Sequence, residues 1–315
     1  FKNSIKYLQS LQQPFYAKYI TVTNHFPYTL DDEDKDPNFQ TTNTGDSNVD
    51  NYFVTAHYLD QSIQEFFNYL QKTGLDKKSI IMIYGDHYGI SNSENTSLAS
   101  VLGKSADDWT DFDNAQLQRV PLMFVIPGTG HGKVYHTYGG EVDVLPTLLH
   151  LLGISSKRYI QFGTDLFSSK HNQVVAFRNR DFVTPTYTSV GGTIYNNKTG
   201  KEAKLTKKQQ EKLKKDQDFV NEELTLSDSL NEKNLLRFYH PKGFKNVNPA
   251  DYNYSNGLKR AQRIEKKKGI KSTSIYSENG DRSTVDDYST DAPEQNHSST
   301  DSNRIKITNP DANNK

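Results

Sequence analysis

The feature that most constrains the fold is an apolar run at residues 80–83 that leads directly into two residues able to bind metal. The run reads Ile-Ile-Met-Ile, and Tyr84 and Gly85 separate it from Asp86 and His87. A continuous apolar run predicts a central strand covered on both faces. Open α/β sheets bind ligands at the carboxyl ends of their strands. An oxygen and a nitrogen ligand suit Mn²⁺ or Zn²⁺ better than Ca²⁺. The alternative is a turn residue beside a surface histidine.

Strands alternate with helices through the first half of the chain. Residues 15–23 and 120–126 have the β-branched and apolar content of strands. Residues 50–72 carry apolar side chains at helical spacing, and residues 143–152 form a second helical pattern with Asp143 as its N-cap. This alternation predicts an α/β fold with a mainly parallel sheet flanked by helices.

The second half has a different character. Short strand patterns at 174–177, 186–190 and 193–195 predict a smaller antiparallel C-terminal subdomain, and Thr206 opens a charged helix. The polar residues from 254 onward predict a disordered tail. We therefore expect three regions: 1–170, the α/β domain; 171–253, the antiparallel subdomain; and 254–315, the tail.

Bulk composition excludes several classes of function. The chain has 38 basic and 38 acidic residues, so no global field attracts nucleic acid. It contains no cysteine, which excludes disulfides and thiolate chemistry. No segment reaches the roughly 18 apolar residues of a membrane span. The sequence begins inside a helix-like pattern without Met, and we interpret it as a piece of a longer protein lacking the N-terminal part of its domain.

A glycine-rich segment and three further histidines are other candidates for functional sites. Residues 128–133 are rich in glycine but fail the phosphate-loop pattern, because Val134 stands where Ser or Thr must hold Mg²⁺. His25 directly follows the predicted strand 15–23 and could face the same crevice as Asp86, or it could be a hydrogen-bonded histidine at a loop start. His150 is interpreted as a partly buried packing residue, and His136 as a weaker candidate.

Several motifs occur together in the order found in one family. Residues 24–27 (Asn-His-Phe-Pro), 85–89 (Gly-Asp-His-Tyr-Gly), 119–121 (Arg-Val-Pro) and 137–153 resemble the extracellular domain of lipoteichoic acid synthases. The resemblance extends over about residues 1–253. It implies a sulfatase/alkaline phosphatase-like fold in which residues 1–170 are the C-terminal portion of a sulfatase-like catalytic domain. The Asp-His pair and the Asp-x-x-Pro-Thr element at 143–147 are shared more widely with sulfatases and alkaline phosphatases.

The resemblance implies a glycerophosphotransferase that moves glycerol phosphate from phosphatidylglycerol onto a polyglycerol-phosphate chain. It implies that Asp86 and His87 bind Mn²⁺, with Mg²⁺ or Zn²⁺ as alternatives, and that His25 contacts the glycerol-phosphate group. The family's nucleophilic threonine, a glutamate ligand and a substrate arginine would precede Phe1. We therefore assign no catalytic nucleophile within this chain and expect it to be inactive alone.

The resemblance also implies a location and partners. It places the chain at the extracellular face of the cell membrane, held there by an upstream portion, or secreted or attached to the cell wall after processing. Two rival functions remain open. One is a sulfatase or phosphodiesterase-type hydrolase of the same superfamily, and the other is a non-catalytic surface fragment.

Overall fold

The structure is a computed structural model that describes residues 1–130, 132–157, 160–240, 242, 250 and 253–296. The chain divides into two compact units. The first unit comprises Phe1–Ile81, Ile126–Gly128 and Pro249–Lys315, and the second comprises Met82–Val125 and Thr129–Asn248. Within the described residues, no helix is long and apolar enough to span a membrane.

The regular elements of the described residues follow in chain order. The helices are α1 Ile5–Leu8, α2 Ser47–Lys72, α3 Asp111–Gln116, α4 Val144–Leu151, α5 Lys207–Glu232, α6 Tyr254–Lys268, α7 Ile275–Glu278 and α8 Pro293–Asn296. The strands are β1 Ile81–Tyr84, β2 Leu122–Val125, β3 Val175–Ala176, β4 Phe182–Val183, β5 Tyr187–Val190, β6 Thr193–Asn196 and β7 Lys201–Glu202.

The long helix α2 organises the first unit. Its N-cap, Asp46, accepts hydrogen bonds from the backbone N–H groups of Asn48 (3.0 Å) and Val49 (3.4 Å), which satisfies two amides that have no partner within the helix. The last turn of α2 buries Tyr69 and Leu70. These side chains form an apolar core with α1, α7 and the segment that follows α7; its buried members are Ile5, Leu8, Tyr69, Leu70, Leu75, Ile275 and Tyr288.

The prediction of a disordered tail from residue 254 is wrong for the part that the structure describes. Residues 254–268 form α6, and Ile275 and Tyr288 are buried in the core of the first unit. The tail was predicted from its polar composition, but a few widely spaced apolar side chains are enough to anchor a polar segment to an existing core. Residues 297–315 lie outside the described residues.

The second unit contains the predicted antiparallel sheet. Strands β3 to β7 pair in chain order, and every pairing between neighbours is antiparallel. Helix α5 packs on this sheet through Leu213 and Val220, which contact the buried Phe182. The predicted capping box is present: Thr206 and Gln209 each bond the other's backbone N–H (3.4 and 2.8 Å). Helix α4 confirms the predicted helix 143–152.

Two strand predictions need correction. Residues 14–23 form no strand, and Ile20 and Val22 are about 70% exposed (71% and 70%). A β-branched sequence forms a strand only where a neighbour completes its hydrogen bonds, and the described residues supply none here. Strand β1 forms where predicted but is only half-buried, because it pairs with β2 alone in a two-stranded sheet.

Candidate active site

Gly85 fixes the point at which the backbone leaves β1. A Cβ atom at this position would lie 2.8 Å from Cβ of Val120, closer than carbon atoms can approach. The backbone N–H of Gly85 donates a hydrogen bond to the carbonyl oxygen of Pro121 (3.1 Å). Only a residue without a side chain allows this close contact with the segment that enters β2. The position of Asp86 therefore depends on backbone packing.

Asp86 and His87 lie side by side at the end of β1. The Nε2 atom of His87 is 3.8 Å from Oδ1 of Asp86, and both side chains are more than half exposed. The Nδ1 atom of His87 lies 2.7 Å from the carbonyl oxygen of Tyr88. Since a carbonyl oxygen can only accept, Nδ1 carries the proton and donates this bond. In the neutral ring, the lone pair is then on Nε2, the atom nearer to Asp86.

This arrangement fits two ligands of one divalent ion. Ligand atoms at about 2.0 to 2.2 Å from a shared ion lie roughly 3 to 4 Å apart, so 3.8 Å needs little adjustment. A backbone carbonyl that orients the histidine through Nδ1 is the usual support for a metal-binding imidazole. Across the described residues, no three His, Cys, Asp or Glu side chains gather into a metal site. The geometry of Asp86 and His87 is that of two donor atoms for one ion.

His25 lies in a tight turn of the first unit. The backbone N–H of Tyr28 donates to the carbonyl oxygen of His25 (2.8 Å), and the Phe26–Pro27 peptide bond is cis. The Nδ1 atom of His25 donates to the carbonyl oxygen of Phe26 (2.9 Å). This is the same use of Nδ1 as in His87, so in the neutral ring of His25 the lone pair is also on Nε2. The His25 side chain is exposed.

Helix α2 holds the turn that carries His25. The hydroxyl of Thr55, which is fully buried, lies 2.8 Å from Oδ1 of Asn24 and donates to it. On the other side of the turn, Tyr28 is 4% exposed and packs edge to face against Tyr52, with ring centroids 5.4 Å apart. The predicted substrate-binding histidine therefore sits on an exposed turn with buried anchors on both sides.

The Asp-x-x-Pro-Thr element has a structural role. Asp143 is the N-cap residue of α4, as predicted, but its buried carboxylate turns away from the helix. It accepts hydrogen bonds from the backbone N–H groups of Gly140 (2.9 Å) and Thr164 (2.7 Å). The hydroxyl of Thr147 donates to the carbonyl oxygen of Asp143 (2.6 Å) and accepts from the N–H of Leu166 (3.0 Å). These contacts fasten the loop before α4 to the loop after it.

Sequence reasoning missed two ordered histidines. His57 on α2 bonds Asp36 through Nε2 (3.0 Å) and stacks on Phe39, with ring centroids 4.2 Å apart. This hydrogen bond, followed by one from the N–H of Asn38, lowers the pKa of the Asp36 carboxyl. His171 bridges the Tyr138 carbonyl oxygen and the Thr164 hydroxyl, both at 2.5 Å. The partners Asp36, Tyr138 and Thr164 lie 21, 33 and 7 residues from their histidines, so no short local motif identifies these contacts.

The two weaker histidine candidates both have exposed side chains. His150 was predicted to be a partly buried packing residue, which is wrong: its side chain is 57% exposed and Nδ1 lies 2.8 Å from Oδ2 of Asp165. The short helix α4 is amphipathic, and position 150 falls on its outer face. His136 is exposed.

Comparison with known proteins assigns this arrangement to a class. The sulfatase family profile matches residues 1–154, the part that contains His25, Asp86 and His87. A protein of the alkaline phosphatase superfamily from Vibrio parahaemolyticus has a related fold, with a TM-score of 0.52 and 16% identity over 76% of this chain and 54% of that one. The chain thus matches the sulfatase family over residues 1–154 and has a fold related to that of the alkaline phosphatase superfamily, and the α/β fold class is confirmed.

Within that superfamily, the chain is similar to lipoteichoic acid synthases. It is 53% identical over 255 residues to lipoteichoic acid synthase 2 of Bacillus subtilis, covering 81% of this chain. It is 45% identical over 259 residues to the lipoteichoic acid synthase of Staphylococcus aureus, covering 82% of this chain. The chain spans only 38% and 39% of the lengths of these two relatives.

A solved structure agrees with the sequence comparison. The lipoteichoic acid synthase LtaP from Listeria monocytogenes matches with a TM-score of 0.58 and 27% identity, over 69% of this chain and 54% of that one. The resemblance inferred from the motifs is therefore confirmed at the level of family.

Proposed function

We propose that this chain supplies the metal-binding and substrate-binding half of a lipoteichoic acid synthase. The observation that carries the proposal is the strand-end pair of Asp86 and His87, whose ligand atoms lie 3.8 Å apart in a chain 53% identical to such a synthase. The reaction is transfer of glycerol phosphate from phosphatidylglycerol to the end of a polyglycerol-phosphate chain. It takes place at the extracellular face of the membrane.

The residues divide the work between metal and substrate. Asp86 and His87 hold a divalent ion, which we propose to be Mn²⁺ and which supplies charge stabilisation at the phosphoryl oxygens. His25 presents Nε2 to the glycerol-phosphate group, as a hydrogen-bond donor when protonated. We assign the nucleophile to the part of the relatives that this chain does not match, since the chain spans 38% of their length.

A chimera tests the proposal. In the chimera, residues 1–253 replace the matching segment of lipoteichoic acid synthase 1 of Bacillus subtilis. The chain is 54% identical to this synthase over 254 residues. Given fluorescent phosphatidylglycerol and Mn²⁺, we expect diacylglycerol release together with polymer growth, and loss of both in the chimera carrying Asp86→Ala. A matched control is Asp108→Ala, which removes an exposed carboxylate from the same unit.

Two outcomes would contradict the proposal. A folded chimera without activity would show that this chain lacks the complementary half of the site. Release of free glycerol phosphate without polymer growth would favour the hydrolase alternative. The match to the sulfatase profile is compatible with that alternative. The isolated chain should release no diacylglycerol, and release would reveal a nucleophile within it.

A further inference from the structure

Helix α6 and the turn after it carry a dense set of exposed cations. Between residues 259 and 271 all of the basic side chains point to solvent; they are Lys259, Arg260, Arg263, Lys266, Lys267, Lys268 and Lys271. None of them takes part in the ion pairs found among the described residues. We refer to these residues as the α6 basic face.

The one acidic residue within α6 does not neutralise this face. Glu265 is turned inward, where its carboxylate accepts hydrogen bonds from the hydroxyls of Ser272 (2.7 Å) and Ser274 (2.5 Å) and from the amide of Gln12. Ser274 is fully buried. These bonds attach the end of α6 to the body of the first unit. The negative charge of Glu265 is used in these bonds and does not pair with the exposed cations. The cations remain on the outside.

Helix α5 provides an internal comparison. It is also rich in lysine, but acids are interspersed, and Lys212 and Lys214 form ion pairs with Asp216 (3.0 Å) and Asp218 (2.8 Å) four residues along. The chain as a whole has no net charge. The positive potential is therefore a local property of α6.

Helix stability does not account for the basic face. Lysines in the last turn of a helix interact favourably with its dipole, which explains Lys266 to Lys268. Arg260 and Arg263 lie in earlier turns, where this interaction is lost. Nor does it explain Ile270, which follows the lysines and is completely exposed, with Ile264 on the helix 36% exposed. An apolar side chain placed among cations matches a partner that has both negative charge and an apolar layer.

We propose that the α6 basic face, with Ile270, binds the surface of an anionic membrane. Basic amphipathic helices lie in the headgroup region, where lysine and arginine pair with lipid phosphates and neighbouring apolar side chains enter the acyl boundary. A soluble polyanion would satisfy the cations but would leave Ile270 in water. This surface would hold the chain against the membrane independently of any activity.

Vesicle co-sedimentation of the full 315-residue chain tests the proposal. We expect binding to phosphatidylglycerol vesicles, no binding to phosphatidylcholine vesicles, and weakening as salt rises. The variant K266Q/K267Q/K268Q should bind on the order of 10²-fold more weakly, since each lysine near an anionic surface adds appreciably to affinity. Ile270→Ser should weaken binding by about 5-fold, as expected for partial loss of apolar contact.

Matched variants distinguish binding through the α6 basic face from a general effect of the chain's positive charge. The variant K207Q/K208Q/K215Q removes the same charge from α5 and should bind as tightly as the parent, whereas K266R/K267R/K268R should retain binding. Circular dichroism confirms that each variant is folded. Equal losses from α5 and α6, or an Ile270→Ser variant that binds like the parent, would overturn the proposal. So would binding to soluble polyphosphate without binding to vesicles.

Discussion

His25 and the Asp86–His87 pair use their imidazoles in the same way but are positioned by different means. Each histidine donates Nδ1–H to the carbonyl of the next residue, at 2.9 Å for His25 and 2.7 Å for His87. The His25 turn is held by side chains, through Thr55 and Tyr28. The Asp86–His87 pair is held by backbone, through the close contact at Gly85. The comparison shows that ring orientation is a local property, whereas placement depends on packing.

The largest effect should follow loss of a metal ligand. In an active chimera, Asp86→Ala removes the carboxylate that pairs with Nε2 of His87, and we expect turnover to fall on the order of 10³-fold or more. The fluorescent lipid assay measures this, with Asp108→Ala as the control. A loss of less than tenfold would place the metal elsewhere.

A smaller loss is expected at the substrate side. His25→Ala in the same chimera should reduce turnover on the order of 10²-fold, the usual consequence of removing a positioned acid or phosphate contact. His136→Ala, which removes an exposed histidine of the second unit, provides the control. Unchanged turnover in His25→Ala would mean that the turn only presents a surface histidine.

The backbone contact at Gly85 can be tested through stability. Gly85→Ala introduces a Cβ at 2.8 Å from Val120, and we expect a loss of about 1 to 3 kcal/mol in the free energy of unfolding, as for overpacking elsewhere. Gly132→Ala is the matched control, because a Cβ there meets nothing within 4 Å. Urea denaturation measures the free energy of unfolding of each variant. Equal values would show that the backbone at the end of β1 shifts easily to accommodate a Cβ atom.

The smallest effect concerns how the free energy of unfolding depends on pH through the contact between Asp36 and His57. His57 lies on α2, the helix that holds the His25 turn. The bond from His57 holds the pKa of Asp36 below its ordinary value of 3.8. A carboxyl with a lowered folded pKa stabilises the fold above that ordinary value, and the contribution is lost as pH falls through the folded pKa. The stability difference between the parent and Asp36→Asn should therefore be constant near neutral pH and shrink below about pH 4. A difference that grows on acidification would contradict this assignment.

The residues of the candidate site could be selected from the sequence because their signals are local. A strand that ends in Gly-Asp-His, and a histidine within Asn-His-Phe-Pro, are contiguous patterns, and the structure places Asp86 beside His87 as expected. The strand predicted at 15–23 failed because strand formation depends on a neighbour that a local pattern cannot reveal. The order of residues 254–296 was missed for a similar reason, since Ile275 and Tyr288 are buried by helices more than 200 residues earlier in the chain.

Calorimetric titration of Mn²⁺ tests the central claim most directly, namely that Asp86 and His87 bind metal while His25 binds substrate. The titration compares the active chimera with its Asp86→Ala and His25→Ala variants, each confirmed to be folded. We expect Asp86→Ala to lose at least about tenfold in affinity and His25→Ala to bind Mn²⁺ as the parent does. Equal affinities for the parent and Asp86→Ala, or an equal loss in both variants, would contradict the division of roles.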